Sequence, residues 1–102
     1  MRRAEIYQKD VLAGRLEEVD RSQYRFTYAL GYRGEPISLT LPVREQPYEF
    51  NRFPAVFEGV LPEGVQLEAL LRIHKVDKGD LFQQLLIVGA DVVGSLTIRD
   101  AK

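Results

Sequence analysis

A chain of 102 residues has room for one domain and little more. Its 14 Lys and Arg against 15 Asp and Glu leave a net charge of −1, and 45% hydrophobic with 28% charged residues is the balance of a folded domain, not of a disordered tail. Cysteine is absent, which excludes disulfides, thiolate metal sites and a Cys nucleophile.

The first third reads as strands. Glu5 to Lys9 is a short one, broken at Lys9-Asp10. Leu12, Gly14 and Leu16 then alternate with Ala13, Arg15 and Glu17. After a break at residues 18–22, Tyr24, Phe26, Tyr28 and Leu30 alternate with Arg25, Thr27 and Ala29. A period of two marks strands with one face on a core, and the polar breaks suit antiparallel hairpins. Residues 31–36 form a loop by composition, and Ile37, Leu39 and Leu41 predict a further strand stopped by Pro42.

The period then changes. Phe53, Val56, Phe57, Val60 and Leu61 fall at i, i+3, i+4, i+7 and i+8, an apolar helical stripe, with Pro54 suited to its first turn and Pro62-Glu63-Gly64 to its end. Gly59 lies inside that stripe and predicts a bent or shortened helix. A second helix carries Leu67, Leu70, Leu71 and His74 on one face. Asp80 fits the N-cap and Gly89 the C-cap of a third, bearing Leu81, Phe82, Leu85 and Leu86. Residues 92–98 return to strand. Strands segregated from helices predict an α+β fold: one antiparallel sheet with about three helices packed on one side, in a single domain over residues 1–102.

Catalytic chemistry is not legible. His74 is the sole histidine, and with no Cys or second His it has no partners for a zinc site, so it reads as a structural residue. No serine sits in a nucleophile elbow, and Asp77-Lys78-Gly79-Asp80 lacks the remaining ligands of a calcium loop. The glycines match no phosphate-binding loop. No catalytic residue, metal or cofactor is therefore expected. The basic residues are scattered, with only Arg2-Arg3 adjacent, which argues against direct nucleic-acid binding. The longest apolar run, residues 85–90, is far short of the roughly 18 residues of a membrane span, and no apolar stretch follows Met1-Arg2-Arg3, so a cytoplasmic location is expected.

Residues 36–64 are distinctive as an ordered set. Leu39-Thr40-Leu41-Pro42 precedes Phe53-Pro54-Ala55-Val56-Phe57-Glu58-Gly59-Val60-Leu61-Pro62-Glu63-Gly64, and Gly89-Ala90-Asp91-Val92-Val93-Gly94 follows. This order resembles the first N-terminal subdomain of HipA-type kinases, over nearly the whole chain. Gly59 departs from the pattern, which more often has Asn there. The nucleotide-binding and catalytic motifs of those Ser/Thr kinases lie beyond this subdomain, so the resemblance implies a chain that is not an enzyme. Some such systems carry the subdomain as a separate chain, HipS, alongside a shortened kinase and a DNA-binding protein. The resemblance therefore implies an antitoxin that binds and restrains a HipA- or HipT-like kinase, with a HipB-like protein as a third member. A scaffold without inhibitory action, or the start of a full-length kinase, are the alternatives. For the kinase contact, aromatic anchors and the turn after the first helix are the expected residues: Tyr48, Phe50, Phe57, Pro62, Glu63 and Gly64.

Overall fold

The computed structural model describes residues 2–89 and 96–101. Five strands, β1 (Arg2–Gln8), β2 (Val11–Asp20), β3 (Gln23–Tyr28), β4 (Tyr48–Phe50) and β5 (Leu96–Asp100), form an antiparallel sheet of order β4-β3-β2-β1-β5. Three helices, α1 (Ala55–Glu58), α2 (Gly64–His74) and α3 (Leu81–Val88), lie between β4 and β5 in the chain. The architecture is the expected α+β fold.

The hairpin between β1 and β2 turns on Lys9 and Asp10, both at positive φ (50° and 67°), the geometry that matches the right-handed twist of paired strands. One strand face carries the core. Ala4, Ile6, Leu16, Phe26 and Ile98 are buried there, as pairings such as Ile6 with Ile98 and Leu16 with Phe26 require. Phe57 of α1 and Phe82 and Leu85 of α3 close over this face, and all three are fully buried. Phe57 lies 6.0 Å from the Phe26 ring, and Phe82 stacks at 6.4 Å on Tyr24.

The alternation in β2 breaks at a bulge. Ile6 pairs with Gly14 but Tyr7 with Leu12, so Ala13 is an extra residue. Ala13 is buried, and Leu12, expected beside Gly14 and Leu16, is carried to the other face and left 37% exposed. Gly14 is needed where it stands: a Cβ there would collide with the Thr27 carbonyl and come within 2.8 Å of the Phe26 ring. In β3, Tyr24, Phe26 and Tyr28 face inward as the pattern predicts, but the strand ends at Tyr28 and Leu30 is 98% exposed.

The expected strand over residues 37–41 is a turn. Ser38 and Leu41 form an isolated bridge, Leu41 N–H donates to the Ser38 carbonyl at 3.1 Å, and the Ser38 hydroxyl accepts from Thr40 N–H. The buried Tyr28 hydroxyl takes the role of a partner strand, donating to the Leu41 carbonyl and accepting from Ile37 N–H. Ile37 and Leu41 are buried while Leu39, at the tip, is fully exposed. Pro36 and Pro42, which lack an amide donor, bracket the segment and disfavour a ladder.

The first helix is a single turn. Pro54 is its N-cap, ahead of the first helical position expected for it, and Gly59 its C-cap. Bonds from Val60 to Phe57 and from Leu61 to Glu58 continue the winding in a tighter form, so the predicted stripe still faces the core: Phe53 and Phe57 are buried, Val56, Val60 and Leu61 partly so. Asp80 caps α3 by accepting from Gln83 N–H at 3.2 Å. Gly89 ends it in a right-handed conformation (φ −66°), and its side-chain-free face admits Ile98, whose Cβ would lie 2.5 Å from an added Cβ. The same contact blunts the outer edge of β5, because Ile98 N–H donates to the Gly89 carbonyl at 2.9 Å. The part of the last predicted strand at residues 92–95 lies outside the described residues.

Candidate partner-binding surface

The sheet has a second face, and it is charged. Reading across the strands, Glu49, Arg25, Glu17 and Arg3 form one row, and Thr27, Arg15, Glu5 and Arg99 the next. Each Arg in these rows stands beside a Glu, and cross-strand opposite-charge pairs are worth roughly 0.2–1 kcal/mol each. Arg25 and Glu49 close to 3.0 Å, and the Arg99 guanidinium lies 4.9 Å from the Tyr7 ring centre. This self-neutralised lattice suits solvent better than an apolar partner.

At the opposite end of β1, Arg2 joins three elements. Its guanidinium reaches Glu18 on β2 at 2.7 Å and Asp80 at the head of α3 at 2.9 Å, and lies 5.1 Å from the Phe82 ring centre. Hydrogen bonds to Glu18 and then Asp80 hold the guanidinium even more firmly protonated than usual. Burial alone would raise the Asp80 carboxyl, but bonds from Arg2 and Gln83 N–H hold it below its ordinary range. The triad fastens α3 to the sheet.

Tyr48 and Phe50 sit on the edge strand β4, level with Phe26 and Tyr24, and are half-buried against the core rim. Arg44 lies 3.6 Å from the Tyr48 ring centre, and the Tyr48 hydroxyl donates to the Pro42 carbonyl. Phe50 lines a shallow cleft of about 240 Å³ with Thr40, Phe53, Pro54 and Val56. Phe57 is different. It is fully buried, so it has no surface to offer a partner: the helical stripe that carries it turns toward Phe26. Pro62, Glu63 and Gly64 lie at the junction of α1 and α2. Glu63 is the exposed N-cap of α2, and Gly64 opens that helix at φ 59°, a conformation that favours glycine. The expected residues thus fall into an aromatic edge, a core residue and a helix junction.

The structure also exposes apolar groups that periodicity placed inward or left unassigned. None of the α2 residues is buried, Val65 and Ile73 are 81% and 72% exposed, and His74, expected on the packed face, is exposed. Leu30 and Val43 flank a cavity of about 550 Å³ at the exit of β3. Exposure of Leu30 carries no signal in the alternation, which continues through it in register. Among the described residues, no group of three or more His, Asp or Glu is placed to share a metal ion, and no helix is long and apolar enough to cross a membrane.

Comparison with known proteins follows the same outline. The family model of the HipA N-terminal domain matches residues 4–99. An uncharacterised protein of Haemophilus influenzae is 26% identical over 102 residues, covering all of this chain and 95% of its own. A solved structure described as the N-terminal domain of HipA toxin superposes with a TM-score of 0.78 at 23% identity, over all of this chain and 94% of that one. In the complex of HipA, HipB and operator DNA from the Shewanella oneidensis toxin–antitoxin system, the matching chain gives a TM-score of 0.71 at 21% identity, covering 94% of this chain and 23% of its own.

Proposed function

Because the chain belongs to the HipA N-terminal domain family, we propose that it is a non-catalytic antitoxin that binds and restrains a shortened HipA- or HipT-like Ser/Thr kinase, with a HipB-like DNA-binding protein in the same assembly. The observation that carries this reading is the match of residues 4–99 to the family model of the HipA N-terminal domain. A kinase that lacks its own copy of this domain leaves an apolar docking surface uncovered. A separate chain of the same fold covers that surface and holds the kinase in a restrained form. The partly exposed aromatic edge at Tyr48 and Phe50 supports a binding role, since aromatic anchors dominate interface energetics.

The test is co-expression with the cognate shortened kinase. Relief of growth arrest, together with a stable complex on size-exclusion chromatography, is the expected result. Unchanged toxicity with no complex overturns the reading. A complex without relief of toxicity leaves a scaffold in place of an antitoxin.

A further inference from the structure

We infer that the exit of β3, where Leu30 and Val43 flank a cavity of about 550 Å³, receives an apolar side chain from an acid-flanked segment of the partner kinase. The inference rests on the antitoxin reading and names the surface and chemistry of its contact.

Leu30 is the core of the argument. It is 98% exposed two residues past the end of β3, a strand whose inward residues are buried. A leucine so placed contributes nothing to the fold of the isolated chain and gains the full hydrophobic benefit only when something covers it. It does not stand alone. Leu30 and Leu12, which the Ala13 bulge turned outward, also line an adjoining cavity of about 440 Å³, but Glu5, Arg15 and Glu17 of the charged sheet face line it too, so the apolar contact is assigned to the larger cavity. Val43, 39% exposed, lines the larger cavity with Leu30.

The floor of that cavity is firm. Tyr28 and Tyr32 line it, stacked at 5.7 Å, with the Tyr28 hydroxyl tied to the turn at Ile37 and Leu41 and the Tyr32 hydroxyl donating to the Glu35 carbonyl at 2.7 Å. Burial holds both phenols above their ordinary pKa, so the floor is neutral.

The rim selects the partner. Arg33 and Arg44 line the cavity against Glu45 alone, so the rim is net positive. Arg44 is held in place by the Tyr48 ring and by donation to the Gln46 and Pro47 carbonyls, contacts that position its charge without neutralising it. A protein segment with a Leu, Ile or Phe flanked by Asp or Glu matches both the floor and the rim.

The experiment measures affinity of the cognate shortened kinase for the parent chain and for Leu30→Asp, Leu30→Ala, Arg33→Glu and Ile73→Asp, each checked by circular dichroism. Leu30 and Ile73 are both exposed, so neither change disturbs the fold. Loss of about thirtyfold or more in affinity for Leu30→Asp, the scale of a hot-spot truncation, with a smaller loss for Leu30→Ala, is expected. Arg33→Glu weakens binding and removes part of its salt dependence, while Ile73→Asp binds as the parent does. Parent-like binding by Leu30→Asp and Arg33→Glu overturns the inference and leaves the antitoxin reading intact, and loss confined to Ile73→Asp moves the contact to α2. Failure of the parent itself to bind overturns both. Sedimentation equilibrium of the free chain is the remaining arm: a dimer dispersed by Leu30→Asp makes a second copy the occupant and overturns the kinase assignment.

Discussion

Arg2 and Asp80 are 78 positions apart in the chain and 2.9 Å apart in space, so the first residue of the sheet is tied to the cap of the last helix. The Asp80 carboxylate serves both partners, bonding the Gln83 amide at one oxygen and the Arg2 guanidinium at both. Replacing Asp80 with Ala removes a cap and a cross-link together. Loss of an N-cap alone costs about 1 kcal/mol, and urea unfolding of Asp80→Ala is expected to show at least that deficit. Arg2→Met, which keeps the apolar reach over Phe82, is expected to lose less than Asp80→Ala.

The same carboxylate makes stability depend on acid. Asp80 is held below its ordinary pKa in the folded chain, so the unfolded chain takes up its proton more readily. Its contribution is complete above the ordinary carboxylate value, near pH 4, and is lost as pH falls through the lower folded value. The gap between the urea midpoints of the parent and Asp80→Asn is therefore expected to be full at pH 6 and to narrow as pH falls below about 4. A gap that does not change with pH refutes this account.

Two glycines differ in what they tolerate. Gly14 faces the Thr27 carbonyl and the Phe26 ring, and Gly14→Ala is expected to destabilise by about 1–3 kcal/mol through overpacking. Gly79 has nothing within 4 Å of an added Cβ, so Gly79→Ala is expected to be neutral or to stabilise by about 0.4–1 kcal/mol through the unfolded chain. Thermal or urea unfolding of both variants checks the contrast.

Phe57 and the edge aromatics are expected to separate by assay. Phe57→Ala empties a fully buried site and is expected to cost about 3–5 kcal/mol of folding stability. Tyr48→Ala, Phe50→Ala and Glu63→Ala keep the fold, and a contact role for any of them appears as about a thirtyfold loss of kinase affinity. If all three bind as the parent does, the edge of β4 and the α1–α2 junction lie outside the interface.

The purified chain is expected neither to hydrolyse ATP nor to transfer phosphate, because its sequence has no glycine-rich phosphate cradle. Reproducible turnover that a single substitution in this chain abolishes refutes that expectation.

Periodicity reached those parts of the fold that local chemistry decides. The inward face of β3, the Asp80 cap and the end of α3 at Gly89 are set within a few residues of themselves. The misplaced residues depend on distant partners. Leu12 changes face because Ala13 is extra only relative to β1, and residues 37–41 fold as a turn because Tyr28 supplies the bonds a strand would have needed. Arg2 gave no sign of its role, since both its acidic partners are remote in sequence. Among the candidate contacts, the pattern that grouped Phe53, Val56 and Phe57 announced a core stripe, which is where Phe57 belongs. The exposure of Leu30 follows from where β3 stops, and hydrophobic alternation does not record that.

The pairing of β1 with β5 has a consequence for how the chain is made. Ile6 leaves the ribosome long before Ile98, yet they are direct partners. At about 5–20 residues per second, β1, β2 and β3 have seconds in which to form their two hairpins while the outer edge of β1 stays open to solvent. Gly89 and Ile98 meet only after that interval, so α3 gains its seat and the edge its cover in one late step. A nascent chain stalled before Leu96 would hold β1 to β4 with the outer edge of β1 bare, a species prone to pairing with the wrong strand. Emergence of β5 is thus the event that seals this edge of the sheet.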